Sequence, residues 1–462
     1  MEQLLPPAPA DGLTAGTYSR QAPPAGKPLS ALSPRTPKRA GRIRALWIAG
    51  GIVLAGGLLY AGFLTWVKTT SPRTIADAER LLGRGDPAAA RESLGWLLWS
   101  QPDHADALML LGKCLEAEQD LDAAAEAFGR VPVDSSRHEE ASFCQAVAYL
   151  NRARIETADA ALVKHLKRYP RGGKHPHSEA AHEELKWLYF NMFRRRELEQ
   201  LLTASLERRP GDFTLLFHLL YSEFRPQVEQ EAVGFLKQID QKQPGQPSVQ
   251  LALAHCHWKL GETEAAWQQL EAALESRPEH LETRLVAADF LLEQDQLDSA
   301  ETLLSLNENA SSSLGGQFQR DDRWWSLRSR LAQLRGKGEA ALEHLGEAIA
   351  LRPFERQHLH RRGTLLQVLG RAEEAAKAFA DAKQIEQCES RLATIVLSGE
   401  LERPSVDLCL QVADLYEKRG RKLQATGWRY VAGQLAREAA GRGSTVPAGA
   451  GGRSESASEF NR

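Results

Sequence analysis

The apolar positions of this chain follow two patterns. Between Ala45 and Val67 they form one run without a charged side chain, ALWIAGGIVLAGGLLYAGFLTWV. From about residue 74 onward they recur one helical turn apart among polar neighbours. As a helix the first run spans about 34 Å, against about 30 Å for a bilayer's hydrocarbon core. Arg44 and Lys68 bracket it, and Trp47 and Trp66 sit near its ends, where indole rings favour the headgroup interface. No A-x-A cleavage site lies between the run and Pro72, so it predicts an uncleaved transmembrane signal anchor over 45–67. The preceding tail carries Arg20, Lys27, Arg35, Lys38, Arg39, Arg42 and Arg44 with few acids. That bias predicts a single-pass membrane protein with a cytoplasmic N-terminus and its large domain on the extracytoplasmic, periplasmic side. Small-residue pairs such as Gly51/Ala55 and Gly57/Ala61 leave room for a homo-oligomer through this helix.

The second pattern is periodic on a larger scale. Ala, Leu, Glu, Gln and Arg dominate it, all helix formers, and alternating β-branched runs are almost absent. The body therefore reads as all-α. LMLLGKCLEAEQDLDAAAEAF and LHRRGTLLQVLGRAEEAAKAF place Gly112, Ala124, Phe128 and Gly363, Ala375, Phe379 at identical separations. Ala90, Ala124 and Ala158 are spaced by 34, as are Leu198, Ala232, Ala266 and Ala300, then Ala341 and Ala375; Ala425 marks a last unit. Pro102, Pro170, Pro210, Pro244, Pro278 and Pro353 each follow a marker by twelve residues.

This 34-residue period resembles the tetratricopeptide repeat. The resemblance covers about ten units over residues 72–440 and implies a right-handed superhelix of stacked helical hairpins. Gly85, Gly261, Gly370 and Gly420 suit the turns within hairpins. Between units lie insertions at Arg171–Pro176, Asn309–Arg323 and Gln387–Pro404, the last long enough for its own helix. Residues 1–44, Pro-rich and basic, and 441–462, rich in Gly and Ser, read as disordered tails.

In this family the first helices line the concave face, where ligands bind. The outward stripe there holds Phe143, Val147 and Leu150, then Trp187 and Phe190, then Phe217, Tyr221 and Phe224, then His255 and Trp258. Aromatic residues are enriched at binding hot spots, so the stripe is the candidate site for a protein or peptide ligand. The opposing reading is that superhelix curvature packs these side chains against one another. The sequence thus predicts a membrane-anchored interaction scaffold. The alternative is a constitutive structural subunit of a secretion or envelope-assembly complex. The Ala/Arg/Gly/Leu-rich composition points to a bacterium with GC-rich DNA.

Other chemistries find little support. A net charge of −2 offers no field for nucleic acid. There is no GxSxG, P-loop, HExxH or CxxC, so neither an enzyme nor a cofactor is expected. Cys114, Cys144, Cys256, Cys388 and Cys409 are scattered through helical stretches and read as small apolar residues. His175, His177 and His182, the pair His255 and His257, and the pair His358 and His360 lack metal-site spacing, since i and i+2 diverge on a helix.

Overall fold

The computed structural model describes residues 57–59, 62, 70–170, 175–224, 228–305 and 319–443. The chain divides into two compact units, Met1–Lys68 and Thr69–Arg462. Of the first, residues 57–59 and 62 are described and are helical.

The second unit is built from helices in pairs, with no strand among the described residues. The first pair is α1 (residues 70–83) and α2 (Pro87–Ser100). Next come α3 (Ala105–Ala117) with α4 (Leu121–Gly129), α5 (His138–Asn151) with α6 (Ile155–Arg168), and α7 (Pro176–Asn191) with α8 (Arg195–Arg208). The fifth and sixth are α9 (Phe213–Phe224) with α10 (Glu229–Lys242) and α11 (Pro247–Lys259) with α12 (Thr263–Ser276). Then follow α13 (Leu281–Glu293) with α14 (Leu297–Leu304) and α15 (Asp322–Leu334) with α16 (Gly338–Leu351). The last are α17 (Arg356–Val368) with α18 (Ala372–Leu397) and α19 (Val406–Lys418) with α20 (Lys422–Gly443).

Each alanine marker lies in the second helix of its pair, and all but Ala232 are buried. The close approach they permit is visible at Gly112. A Cβ there would stand 2.4 Å from Cε1 of Phe128, and one on Gly363 would stand 2.7 Å from the Phe379 ring. In the fourth pair Leu198 takes the alanine place and buried Lys186 the facing small place, and α7 and α8 pack less closely than most pairs.

The turns repeat one backbone device. Gly85, Gly261, Gly336, Gly370 and Gly420 have φ between 72° and 81°, and Gln119, Ala153, Phe193 and Asp295 adopt the same left-handed region at 57° to 63°. The geometry is thus required by the turn, and glycine is the unstrained choice. Prolines act at the other end. α2, α6, α8, α10, α12 and α16 each stop two residues before one, and the residue between has ψ of 73° to 88°. A residue before proline is driven out of the helical region by the ring.

Two expectations need correction. Gln387 stands where a closing proline was due, and the 387–404 insertion does not form a separate helix. α18 instead runs on for 26 residues, continuing its apolar stripe through Ala382, Ile385, Cys388, Leu392 and Ile395, and Glu400–Glu402 add one 3-10 turn. The single-pass localisation, cytoplasmic N-terminus and extracytoplasmic repeat domain are also overturned. No described helix is long and apolar enough to cross a membrane. The two longest, α18 and α20, carry Glu373, Glu374, Lys377 and Asp381, and Lys422, Arg429 and Arg437, which are costly to bury in lipid. The 45–67 run itself lies outside the described residues, apart from 57–59 and 62.

One departure from a simple stack shapes the rest. α9 packs on α8, α18 and α20, while α10 packs mainly on α11. A shared apolar core joins Leu185, Leu216 and Leu220 to Leu392, Val412, Tyr416 and Trp428. The chain therefore returns on itself, with its tenth pair against the fourth and fifth.

The Gly112 contact can be tested directly. Gly112→Ala should lower unfolding free energy by about 1–3 kcal/mol through overpacking, and adding Phe128→Leu should recover much of it in denaturant titration.

Candidate partner-binding site

All ten stripe residues lie on first helices, and each has a distinct setting. Phe143 on α5 stacks on His177 at 5.5 Å between ring centroids, Leu150 packs on the shared core, and Val147 is half-buried. Trp187 on α7 is 41% exposed, with its ring edge-on to Phe235 of α10 at 5.7 Å. Phe190 is half-buried against the shared core. Phe217 and Tyr221 on α9 stack on each other at 5.4 Å, and the Arg419 guanidinium lies 5.7 Å from the Phe224 ring. On α11, His255 packs against Phe193 at 4.9 Å. Trp258 meets Phe290 edge-on at 5.6 Å and donates its Nε1–H to Glu293 at 2.9 Å. Trp187 is thus the one stripe residue classed as exposed; the other nine are partly covered by neighbouring helices.

The α9 part of the stripe is shared with the end of the chain. Phe213 meets Trp428 edge-on at 5.8 Å. Gly211 and Gly427 let the surfaces close: a Cβ on Gly211 would stand 1.9 Å from the Tyr430 ring, and one on Gly427 would stand 2.6 Å from the Pro210 carbonyl oxygen.

Around this contact runs a charged clasp. Arg419 donates to Glu223 at 2.6 Å and to Glu389 at 3.1 Å, and Tyr416 donates its hydroxyl to Glu223 at 3.3 Å. Arg421 and Arg352 both pair with Glu199 of α8, and their guanidiniums lie 4.9 and 4.8 Å from the Phe354 ring. Arg196, also on α8, reaches Asp322 at 2.6 Å, and His358 Nε2 lies 2.9 Å from the same carboxylate. Burial works to raise Asp322, but the His358 hydrogen bond and Arg196 outweigh it and hold it down to about 2.

Sequence reasoning missed this clasp because its partners are remote: Glu223 and Arg419 are 196 residues apart. The available signal was glycine. Gly211 and Gly427 fall outside the turn positions of the repeat, and Gly427 sits inside a helix.

The histidines gather in part. His138 Nδ1 lies 2.7 Å from the Tyr169 hydroxyl, and Glu139 accepts from the His177 amide at 3.0 Å and lies 3.4 Å from His175 Nδ1. His165 is buried, with Nδ1 2.7 Å from Ser142 Oγ and Nε2 without a partner. Elsewhere, His182 Nε2 lies 3.0 Å from Ser205 Oγ, His257 pairs with Glu262, and His360 packs against Phe379. Among the described residues no three His, Cys, Asp or Glu side chains are placed to hold one metal ion. The five thiols are free, and burial pushes Cys144, Cys256 and Cys409 up to about 11, 12 and 11.

Residues 76–139 match the tetratricopeptide repeat model, and residues 229–305 match the model for anaphase-promoting complex, cyclosome, subunit 3. No curated protein matches the sequence. Among solved structures, a MamA fragment from Desulfovibrio magneticus RS-1 is 18% identical, covering 42% of this chain and 96% of its own, with a TM-score of 0.29. The APC/C hetero-tetramer Cut9-Hcn1 gives 13% identity over 78% of this chain and 89% of its own, with a TM-score of 0.37. Likenesses this distant bear on neither partner nor function. The family matches and the paired helices support placing the chain among tetratricopeptide-repeat proteins.

Two outcomes follow from the charges. Glu223→Ala leaves buried Arg419 with a single carboxylate and should cost about 3 kcal/mol in urea unfolding, whereas Glu223→Met with Arg419→Met should cost less. Burial outweighs Glu139 and pushes His165 down to about 4 from 6.5. The unfolded chain then binds the proton more readily, so stability is lost as pH falls from about 6.5 toward 4, by about 2 kcal/mol at pH 5. His165→Gln should flatten that part of the pH dependence of the urea midpoint.

Proposed function

We propose that this chain is a non-catalytic scaffold that binds protein or peptide partners through the aromatic stripe on its first helices. The observation that carries this reading is Trp187. It is a large indole left 41% exposed on α7, braced edge-on by Phe235. A rigid aromatic side chain presented in this way contributes large contact area at low entropic cost, which is why tryptophan recurs at hot spots. Phe143, Val147, Leu150 and Phe190 extend the half-buried apolar surface on α5 and α7, and His255 and Trp258 extend it on α11. Phe217, Tyr221 and Phe224 form the part nearest the clasp, so a ligand reaching them would lie beside Arg419. The tetratricopeptide match supports protein binding as the general role.

The test begins with peptides selected on the wild-type chain from a random display library. Their affinity is then measured by fluorescence anisotropy on the Trp187→Ala, Tyr221→Ala double variant. Loss of at least about tenfold in affinity with an unchanged circular dichroism spectrum is the expected result. Unchanged affinity for every selected peptide would remove the stripe as the binding site.

A further inference from the structure

We infer that α2 is a self-association surface whose occupant is α2 of a second copy of this chain. Trp99 is 76% exposed at the end of α2, a large side chain that its own fold leaves mostly uncovered. It forms part of the wall of a groove of about 940 Å³ that also includes Gly95, Leu98, Leu111 and Leu115, with Arg91, Glu92 and Arg130 as its charged residues. A Cβ added at Gly95 would meet nothing within 4 Å, so the helix backbone there is open to close approach.

The case for a second copy rests on the order of residues along this face. Ala88, Arg91, Glu92 and Gly95 fall on one side of the helix at i, i+3, i+4 and i+7. Read in either direction they run small, charged, oppositely charged, small. A two-fold axis passing between Arg91 and Glu92 of two antiparallel helices sets each Arg91 opposite the other copy's Glu92. The same axis sets each Ala88 opposite the other Gly95, where neither presents bulk. Arg91 already lies 3.2 Å from Glu118 of α3, so it would sit between two carboxylates.

Trp99 completes the match. Helical side chains lean toward their own N-terminus, which tips each indole toward the axis and over the first turn of the opposing α2. There Ala88 and Ala89 leave room for it. The face therefore carries a knob, a recess and both charges, which is the condition for an isologous contact. The patch is one helix with the edges of its neighbours, at the small end of specific interfaces, so the dimer should be a weak one.

Sedimentation equilibrium on the full-length chain, from about 1 to about 100 µM, tests this. The wild type should show a reversible monomer–dimer equilibrium, and Trp99→Ser should weaken it at least about tenfold. Arg91→Glu alone should weaken dimerisation, and adding Glu92→Arg should recover part of it, because the axis pairs these two positions with each other while Glu118 still opposes a carboxylate at position 91. A wild-type chain that stays monomeric throughout this range overturns the proposal. So does a dimer that Trp99→Ser leaves unchanged, since the contact would then lie elsewhere in the chain. A double charge swap that recovers none of what the single swap removed overturns the antiparallel arrangement.

Discussion

Close approach of two helices at a small residue is the constraint on which this structure depends. Where Phe128 sits on Gly112, or Phe379 on Gly363, a single added carbon would fall inside the ring's contact distance. Contacts of this kind hold the helices of a pair together, and neighbouring pairs then bury the stripes a lone hairpin would leave wet. The positive-φ turn and the closing proline serve the same end. One reverses the chain in few residues, and the other stops the second helix before it overruns its partner.

Where the constraint is relaxed, the architecture changes. Leu198 and Lys186 replace the small residues of the fourth pair, Ala232 of the fifth is half-buried, and α9 and α10 are the pair least committed to each other. At that point α9 is taken up by α18 and α20. The clasp of Glu199, Glu223, Arg352, Arg419 and Arg421 fixes this return contact. Buried ion pairs add little net stability over apolar packing, but they penalise misplacement heavily. The shared core around Leu216, Tyr416 and Trp428 supplies the attraction, and the charges supply the register. The aromatic stripe is divided by this contact: its α9 residues lie beside the clasp, while Trp187 on α7 stays open.

Much of the fold was legible in the sequence because its determinants are local. The markers from Ala90 to Ala425 located all ten second helices, and the prolines located six of their ends. The 387–404 insertion is long enough for a helix of its own, but with Gln387 in the place of the closing proline nothing stops α18 from running on into it. Membrane anchoring was inferred from one apolar run, and the described helices do not bear it out. The stripe residues could be assigned to first helices from register alone. Their individual exposure could not, because whether Phe143 or Phe224 is covered depends on His177 and Arg419, contributed by other elements.

The sequence by itself determined the helical pairs, their turns and their ends, because each of these rests on residues within one 34-residue period. Only the tertiary structure decided which pairs meet out of order. Glu223 meets Arg419 and Gly211 meets Tyr430 through contacts between residues far apart in the chain. A periodic code is the same in every unit and carries no information about such pairings. The loose fifth pair leaves α9 open to the end of the chain, and complementary charge and shape then hold the two together.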